Sequence, residues 1–222
     1  MAIINDKVDI PKEIVVDAFN WAWKIVEADH INDVDFGRDD LPRTFMDRLI
    51  DMAQGKLGEW AFVAHMNEEY SLDLQVDWNI YTDKAISDWG QDILPARNLF
   101  RVDVKTVRRG SKWLLVEQKK FVSNVYVMVS VNFPHNAEEL KSRKQIREAI
   151  INYPVDAVIH GYAYWCDFIG ESNRPLVTLN KGQTIPGTSV PMKSERSIGL
   201  HKEDMRRGCL KKLAQHIDEG RL

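Results

Sequence analysis

Two acidic residues and a lysine in the middle of the chain have the types and spacing needed for metal-assisted hydrolysis. Asp103 and Lys105 lie in the apolar run FRVDVKT, and Asp92 precedes them in DWGQDI. Mg²⁺ is usually held by one or two carboxylates together with waters and a substrate phosphate. A lysine beside the cation can position or help deprotonate the attacking water, and nearby cations tend to lower its pKa. These residues therefore predict a site that hydrolyses a phosphodiester.

The strand predicted to carry Asp103 and Lys105 places both side chains together. Side chains at i and i+2 of a strand point to the same face. Asp103 and Lys105 are therefore expected to project from one face. Val102, Val104 and Thr106 are expected to face the other way.

Asp92 is predicted to begin the preceding short strand, residues 92–94. A hairpin closing through residues 95–98 would bring Asp92 close to Asp103. Carboxylates that converge in this way repel each other unless a cation or a proton intervenes. Asp88 is the alternative first acid, and Asp92 is preferred because two apolar residues follow it at a strand start.

The pattern acid-x-Lys is weak by itself, because the chain contains it three times. The other two copies are Glu117 to Lys119, which follows a strand, and Glu139 to Lys141, which lies in or near a helix. Only the copy at Asp103 has an upstream aspartate, an apolar strand and a further acid on a preceding helix. The prediction of a hydrolytic site therefore depends on the surroundings of the tripeptide and not on the tripeptide alone.

The elements around these residues are predicted from hydrophobic periodicity. Helical spacing runs from Pro11 to Val26 and from about Pro42 to about Met66, where Gly55 and Gly58 indicate either two helices or one with a close packing contact. Further helices are predicted at 138–151 and 202–217, and strands at 72–80, 92–94, 100–107, 113–116, 125–131 and 155–165. This order predicts an α/β fold with a mixed central sheet flanked by helices.

Composition narrows the class of protein. The formal net charge of −3 is not that of a typical nucleic-acid-binding protein. It does not exclude DNA binding, because acidic metal ligands offset basic DNA contacts in the net charge. Cys166 and Cys209 are far apart and outside any zinc motif, which favours a reduced, cytoplasmic protein. The charged N-terminus predicts no signal peptide, and no apolar run is long enough to predict a membrane span.

Three segments together resemble the PD-(D/E)XK, or restriction-endonuclease-like, nuclease superfamily. They are GKLGE (55–59), DWGQDI (88–93) and FRVDVKT (100–106). The resemblance implies that Glu59, Asp92, Asp103 and Lys105 are catalytic. It also implies that Glu59, Asp92 and Asp103 hold Mg²⁺, with Mn²⁺ as a substitute. The chain departs from the pattern at Gln91, where the family often has proline.

The resemblance implies an αβββαβ core over residues 42–165. The 222 residues are then one domain, with an N-terminal helical segment at 1–41 and a C-terminal extension at 166–222. The implied function is a metal-dependent DNA endonuclease of restriction or phage type. Two alternatives stay open: a DNA-binding or assembly module on the same fold that does not cut, and a structural or protein-interaction domain.

Basic residues near the acids predict contacts with DNA phosphates. Arg108 and Arg109 directly follow the DVK strand, and Arg97, Arg101 and Lys112 lie nearby. Double-stranded DNA is the expected partner, and symmetric cutting of both strands would suggest a two-fold homodimer.

The tryptophans are predicted to divide between core and site. Trp89 and Trp113 flank the acids and could stack on a base, although packing is the simpler role. Four others lie in apolar patterns and are predicted to be core: Trp21, Trp23, Trp60 and Trp165.

Overall fold

The computed structural model shows an α/β protein and describes residues 6–32, 44–80, 92–95, 100–107, 109–133, 145, 148, 152–170, 176–192, 196–206 and 210–221. Its helices are α1 (Lys12–Asn32), α2 (Phe45–Tyr70) and α3 (Leu210–Glu219). Its strands are β1 (Asp6–Asp9), β2 (Gln75–Val76), β3 (Ile93–Leu94), β4 (Val102–Val107), β5 (Trp113–Glu117), β6 (Val125–Asn132), β7 (Asp156–Tyr164), β8 (Val177–Asn180) and β9 (Arg196–His201). None of the described helices is long and apolar enough to cross a membrane.

The central sheet is mixed, as predicted, and has the strand order β1-β7-β6-β4. β4 runs parallel to β6, whereas β7 is antiparallel to both β6 and β1. The apolar strand β6 is in the interior of the sheet, and its residues from Val125 to Val131 are buried. β4 forms an edge of this sheet, so one side of its backbone is available to other parts of the chain.

The two faces of the central sheet are covered by different layers. Along β6, Val125, Val127 and Val129 join the core formed with the helices, because alternate side chains of a strand point to opposite faces. Tyr126 and Met128 join a second core with residues of β5 and β9. Those two strands belong to a separate antiparallel sheet of order β5-β9-β8.

Helix α2 is one continuous helix that approaches β4 closely. It begins at a capping box, in which the Thr44 side chain accepts from the Asp47 backbone and the Asp47 side chain accepts from the Thr44 backbone. A Cβ atom at Gly58 would clash with Oγ1 of Thr106 and lie 3.2 Å from its Cβ. Of the two possibilities for the glycines, the structure therefore shows a single helix with a close packing contact.

Several predicted elements differ in extent or pairing. The strand predicted at 72–80 is regular only in β2, since the residues on either side form no ladder. The last helix begins at Leu210 because residues 202–204 form a separate 3₁₀ turn. Strand β1, which pairs with β7, was not predicted. Of the helix predicted at 138–151, the structure describes only Gln145 and Glu148, and both are helical.

The N- and C-terminal segments take part in the same packing as the middle of the chain. β1 extends the central sheet, and β9 pairs with β5. On α3, Leu210, Leu213 and Ile217 are buried in the core shared with α1 and α2. The terminal segments therefore complete the layers that cover the central sheet.

Candidate active site

Asp92 is fixed on the free edge of β4 by its backbone and its side chain. Its N–H donates to the carbonyl of Val102 at 3.2 Å, and its Oδ2 accepts from the N–H of Val104 at 2.8 Å. The predicted approach of Asp92 to the Asp103 strand is therefore observed, although among the described residues β3 forms a ladder with β2 rather than with β4, and most of the predicted turn at 95–98 lies outside those residues. Asp92 thus lies beside β4, in the position that a residue of a neighbouring strand would take.

Asp103 and Lys105 project from β4 away from the helices, as the two-residue period predicts. Lys105 Nζ lies 2.7 Å from Oδ2 of Asp103, whose side chain is only 4% exposed. Val102 and Val104 point the other way, into the core with the helices. Oδ1 of Asp103 is buried and has no hydrogen-bond partner among the described residues. One oxygen of the Asp103 carboxylate is therefore paired with a lysine, and the other can still accept a hydrogen bond or bind a cation.

The pKa of Asp103 is raised well above its usual range. Burial is the larger cause, and the negative charge of Asp92 adds to it, while Lys105 opposes both. A carboxylate beside another carboxylate in low dielectric tends to retain a proton or recruit a cation. The pair is therefore suited to binding positive charge.

Lys105 is charged in this setting. Burial alone would lower its pKa, but attraction to Asp103 and Asp92 outweighs burial, so the pKa is raised. The lowering of this pKa beside a bound cation stays a prediction, since the neighbours that raise it are acids. Lys105 is 31% exposed, so its ammonium is also within reach of solvent.

Glu59 brings a third acid to the same place from α2. Burial raises its pKa to about 8, the charge of Asp92 adds to the shift, and Asp103 adds a smaller contribution. These interactions place Glu59 within electrostatic reach of both aspartates. The structure thus brings together Glu59, Asp92, Asp103 and Lys105.

Lys56 is a fifth member of the site that the sequence reasoning did not assign. It is 5% exposed, and its Nζ contacts Oε2 of Glu59 at 2.5 Å. It also donates to the carbonyl of Asp77 at 2.7 Å and lies 4.3 Å from the ring centroid of Trp21. The spacing of Lys56 and Glu59 at i and i+3 signals a helical ion pair, but the tryptophan contact depends on the packing of α1 against α2.

Asp92 and Asp103 are the residues best placed to hold a metal ion. Among the described residues no three His, Cys, Asp or Glu side chains are arranged as a metal-binding group. Mg²⁺ does not require three, since it commonly uses one or two carboxylates with waters and phosphate. The unpartnered Oδ1 of Asp103 and the mutual repulsion of the acids fit such an ion.

The predicted DNA-contacting residues fall into three groups. Arg109 and Lys112 are exposed on the connection between β4 and β5. Arg101 is half-buried, and its backbone bonds to Asn124 through both its N–H and its carbonyl. Arg97 and Arg108 lie outside the described residues, as do Asp88 and Trp89.

Two tryptophans differ in their surroundings. Trp113 donates its indole N–H to the carbonyl of Pro186 at 2.9 Å and packs edge-on against His201. It is therefore engaged in packing within the second sheet and its loop. Trp165 was predicted to be core, but it is 44% exposed because it begins a 3₁₀ turn after β7.

Comparison with known proteins adds no relative. No protein-family model matches the chain, and neither a curated protein nor a solved structure matches it.

Proposed function

We propose that this protein is a Mg²⁺-dependent DNA endonuclease of restriction or phage type that hydrolyses phosphodiester bonds. The observation that carries the proposal is the meeting of Asp92 and Asp103 at the free edge of β4, with Lys105 Nζ 2.7 Å from Asp103. Two acids and a lysine in this arrangement provide ligands for a hard cation and a cationic group beside it.

Each residue has a role that follows from its contacts. Asp92 and Asp103 would hold Mg²⁺, or Mn²⁺ in its place, and a bound cation would favour the ionised form of Glu59, which would then add negative charge from the helix side. The cation would supply charge neutralisation at the phosphate and lower the pKa of a bound water. Lys105 is protonated and partly exposed, so it can hold a phosphate oxygen or orient the attacking water through N–H donors.

The order of elements supports a restriction-endonuclease-like core. An acid-bearing helix, α2, precedes an aspartate at β3 and an Asp-x-Lys strand, β4, in a mixed sheet. One feature departs from a simple αβββαβ order, because β5 belongs to a second sheet that covers the opposite face. The arrangement of Asp92, Asp103 and Lys105 therefore supports a nuclease more strongly than the strand order does.

DNA is favoured as the substrate by the position of the exposed basic residues. Arg109 and Lys112 are on the connection that leaves the far end of β4, the strand that carries Asp103 and Lys105. Cations beside a phosphodiester site can bind the flanking phosphates without reading base sequence.

The direct test is cleavage of supercoiled plasmid by wild type, Asp103→Asn and Glu117→Gln in Mg²⁺. Asp103→Asn keeps the shape of the side chain and removes its charge. Glu117→Gln makes the same kind of change in an acid-x-Lys tripeptide outside the site. We expect wild type and Glu117→Gln to produce nicked or linear DNA. Loss of this one positioned charge should slow Asp103→Asn by about 100-fold or more.

Three results would contradict the proposal. One is no cleavage of supercoiled, linear or single-stranded DNA by wild type in Mg²⁺ or Mn²⁺. Another is equal cleavage by Asp103→Asn. Salt-dependent DNA binding without turnover, measured by fluorescence anisotropy, would instead support a module that binds DNA and does not cut.

A further inference from the structure

We propose that Lys56 is a positioning residue of this site, which holds the Glu59 carboxylate within electrostatic reach of the two aspartates and balances their charge. The inference rests on the proposed function, because it assigns a role within the same site. The contacts of the Lys56 ammonium are with Glu59, Asp77 and two tryptophan rings, so its effect on the aspartates is exerted through Glu59.

The Lys56 ammonium is held from several directions. Oε2 of Glu59 lies at 2.5 Å and the carbonyl of Asp77 at 2.7 Å. The Trp21 ring lies under the cation at 4.3 Å, and the Trp78 ring lies at 5.9 Å. Aromatic faces attract cations, and the attraction grows when water is excluded. A cation held in this way has little freedom to change its partner.

Burial makes it costly to separate Lys56 from Glu59. Their side chains are 6% and 12% exposed. Removing one partner from a buried ion pair leaves an uncompensated charge, which is far more costly than removing one partner from an exposed pair. Because Lys56 is fixed by Trp21 and Asp77 as well, Glu59 follows the position of the lysine.

The charges at the site form an ordered row. Lys56 pairs with Glu59, Glu59 interacts with Asp92, Asp92 interacts with Asp103, and Asp103 pairs with Lys105. Each end of the row of acids thus carries a lysine. Lys105 is 31% exposed, whereas Lys56 is 5% exposed. This difference favours reaction chemistry at Lys105 and positioning at Lys56.

A double-mutant cycle tests whether Lys56 acts through Glu59. The variants are Lys56→Met, Glu59→Gln and the double variant, with kcat and KM for DNA measured in Mg²⁺. Lys119→Met is the matched control, since Lys119 pairs with an acid but is exposed. We expect Lys56→Met to lower kcat about 10- to 100-fold, as removal of groups that orient metal ligands does. KM for DNA should change little.

The double variant gives the decisive comparison. If Lys56 works through Glu59, the double variant is no slower than Glu59→Gln alone. Lys56→Arg, which keeps the charge, should recover part of kcat. A double variant whose loss of rate equals the product of the two single losses would overturn the inference. A rise in KM with unchanged kcat would also overturn it, because that result indicates a role in binding DNA.

Failure of Lys56→Met to fold does not end the test. The double variant leaves neither charge unpaired, and thermal unfolding shows whether it folds. Its kcat is then compared with that of Glu59→Gln: equality supports the inference and a further decrease overturns it.

Calorimetric titration with Mg²⁺ in the absence of DNA separates this inference from the proposed function. We expect Mg²⁺ affinity to fall several-fold in Lys56→Met and to be equal in Glu59→Gln and the double variant. Unchanged affinity in Lys56→Met would overturn the role of Lys56 even if wild type cuts DNA. If the wild-type protein cuts no DNA but its variants show these Mg²⁺ affinities, the nuclease proposal fails and the positioning role of Lys56 stands.

Discussion

The tripeptides Asp103-Val104-Lys105 on β4 and Glu117-Gln118-Lys119 at the end of β5 share one pattern and differ in environment. The Asp103 side chain is 4% exposed, and its contact with Lys105 is 2.7 Å long. Glu117 is 30% exposed and lies 3.8 Å from Lys119, which is 74% exposed. One pair is a buried contact and the other is a solvated ion pair of the kind that contributes little to stability.

The difference arises from what lies beside each strand. β4 is an edge strand whose free side receives Asp92, and α2 brings Glu59 to the same place. Beside Glu117 the additional charged contact is Lys120, at 4.0 Å, so its surroundings are cationic. Acid-x-Lys therefore becomes a candidate site only where the fold adds further acids and removes water.

The largest expected effect is the difference in cleavage rate between variants of the two tripeptide lysines, Lys105 and Lys119. Lys105→Met should lower kcat for DNA cleavage by about 100- to 1,000-fold, the range for removing one positioned hydrogen-bond donor. Lys119→Met should cleave at the wild-type rate, because Lys119 is solvated and pairs with Glu117 rather than with an acid of the site. Plasmid-cleavage kinetics at saturating Mg²⁺ measure both. Equal decreases in the two variants would remove the distinction drawn between the strands.

Gly58→Ala should weaken the support of β4 by α2. The added Cβ overlaps Thr106, and overpacking of this kind costs about 1–3 kcal/mol of unfolding free energy. Urea denaturation measures the decrease. Thr106→Ala removes the clashing oxygen, so the double variant should recover much of the stability. Gly55→Ala is the control, because a Cβ there meets nothing within 4 Å.

The acids at β4 should make stability depend on pH in the absence of divalent cations. Burial raises the pKa of Glu59 from 4.5 to about 8, so the folded state binds the proton more tightly than the unfolded state. The free energy of unfolding should therefore fall as pH rises from about 4.5 to 8, by at most about 1.4 kcal/mol per pH unit for one proton.

Urea denaturation in EDTA between pH 5 and 8 checks this dependence. Glu59→Gln should reduce the slope, since the neutral amide cannot ionise, and Asp103, whose pKa is also raised by burial and by Asp92, should account for part of the remainder. Glu117→Gln is the matched control, because Glu117 is a partly exposed acid outside the site. A slope that is unchanged in Glu59→Gln would contradict the assignment to Glu59, and Asp103→Asn would then measure the contribution of Asp103.

The smallest expected effect concerns the exposed cations between the two strands. Removing the cation of Arg109 or Lys112, and with it one bound phosphate, should lower the slope of log affinity against log salt by about 1. DNA-binding anisotropy of Arg109→Ala and Lys112→Ala measures this slope, with Lys211→Ala on α3 as the control. Unchanged slopes would move the DNA path away from the β4–β5 connection.

Sequence patterns predicted the local part of this arrangement. Asp103 and Lys105 share a face because the two-residue period of a strand is a local property. The approach of Asp92 was predicted through a hairpin whose turn lies mostly outside the described residues, and the structure holds Asp92 at β4 by edge hydrogen bonds while β3 pairs with β2. Glu59 was assigned through the family resemblance.

Long-range pairing set the limit of these predictions. The pairing of residues 113–117 with 196–201 places β5 in a second sheet, and no local pattern specifies that partner. The enclosure of Lys56 by Trp21 and Trp78 likewise depends on separate segments that meet only after folding. Trp165 was misassigned because an apolar strand predicts burial, although the strand ends one residue earlier.

The hydrogen bonds of Asp92 to β4 also bear on self-association. An edge strand with free N–H and C=O groups is a template for pairing with another chain. Asp92 forms hydrogen bonds with the carbonyl of Val102 and the N–H of Val104 on that edge, so these two groups are not available to pair with another strand. A protein lacking this carboxylate would offer the Val104 N–H to a neighbouring molecule, and resistance to aggregation would decline along with any activity at the site.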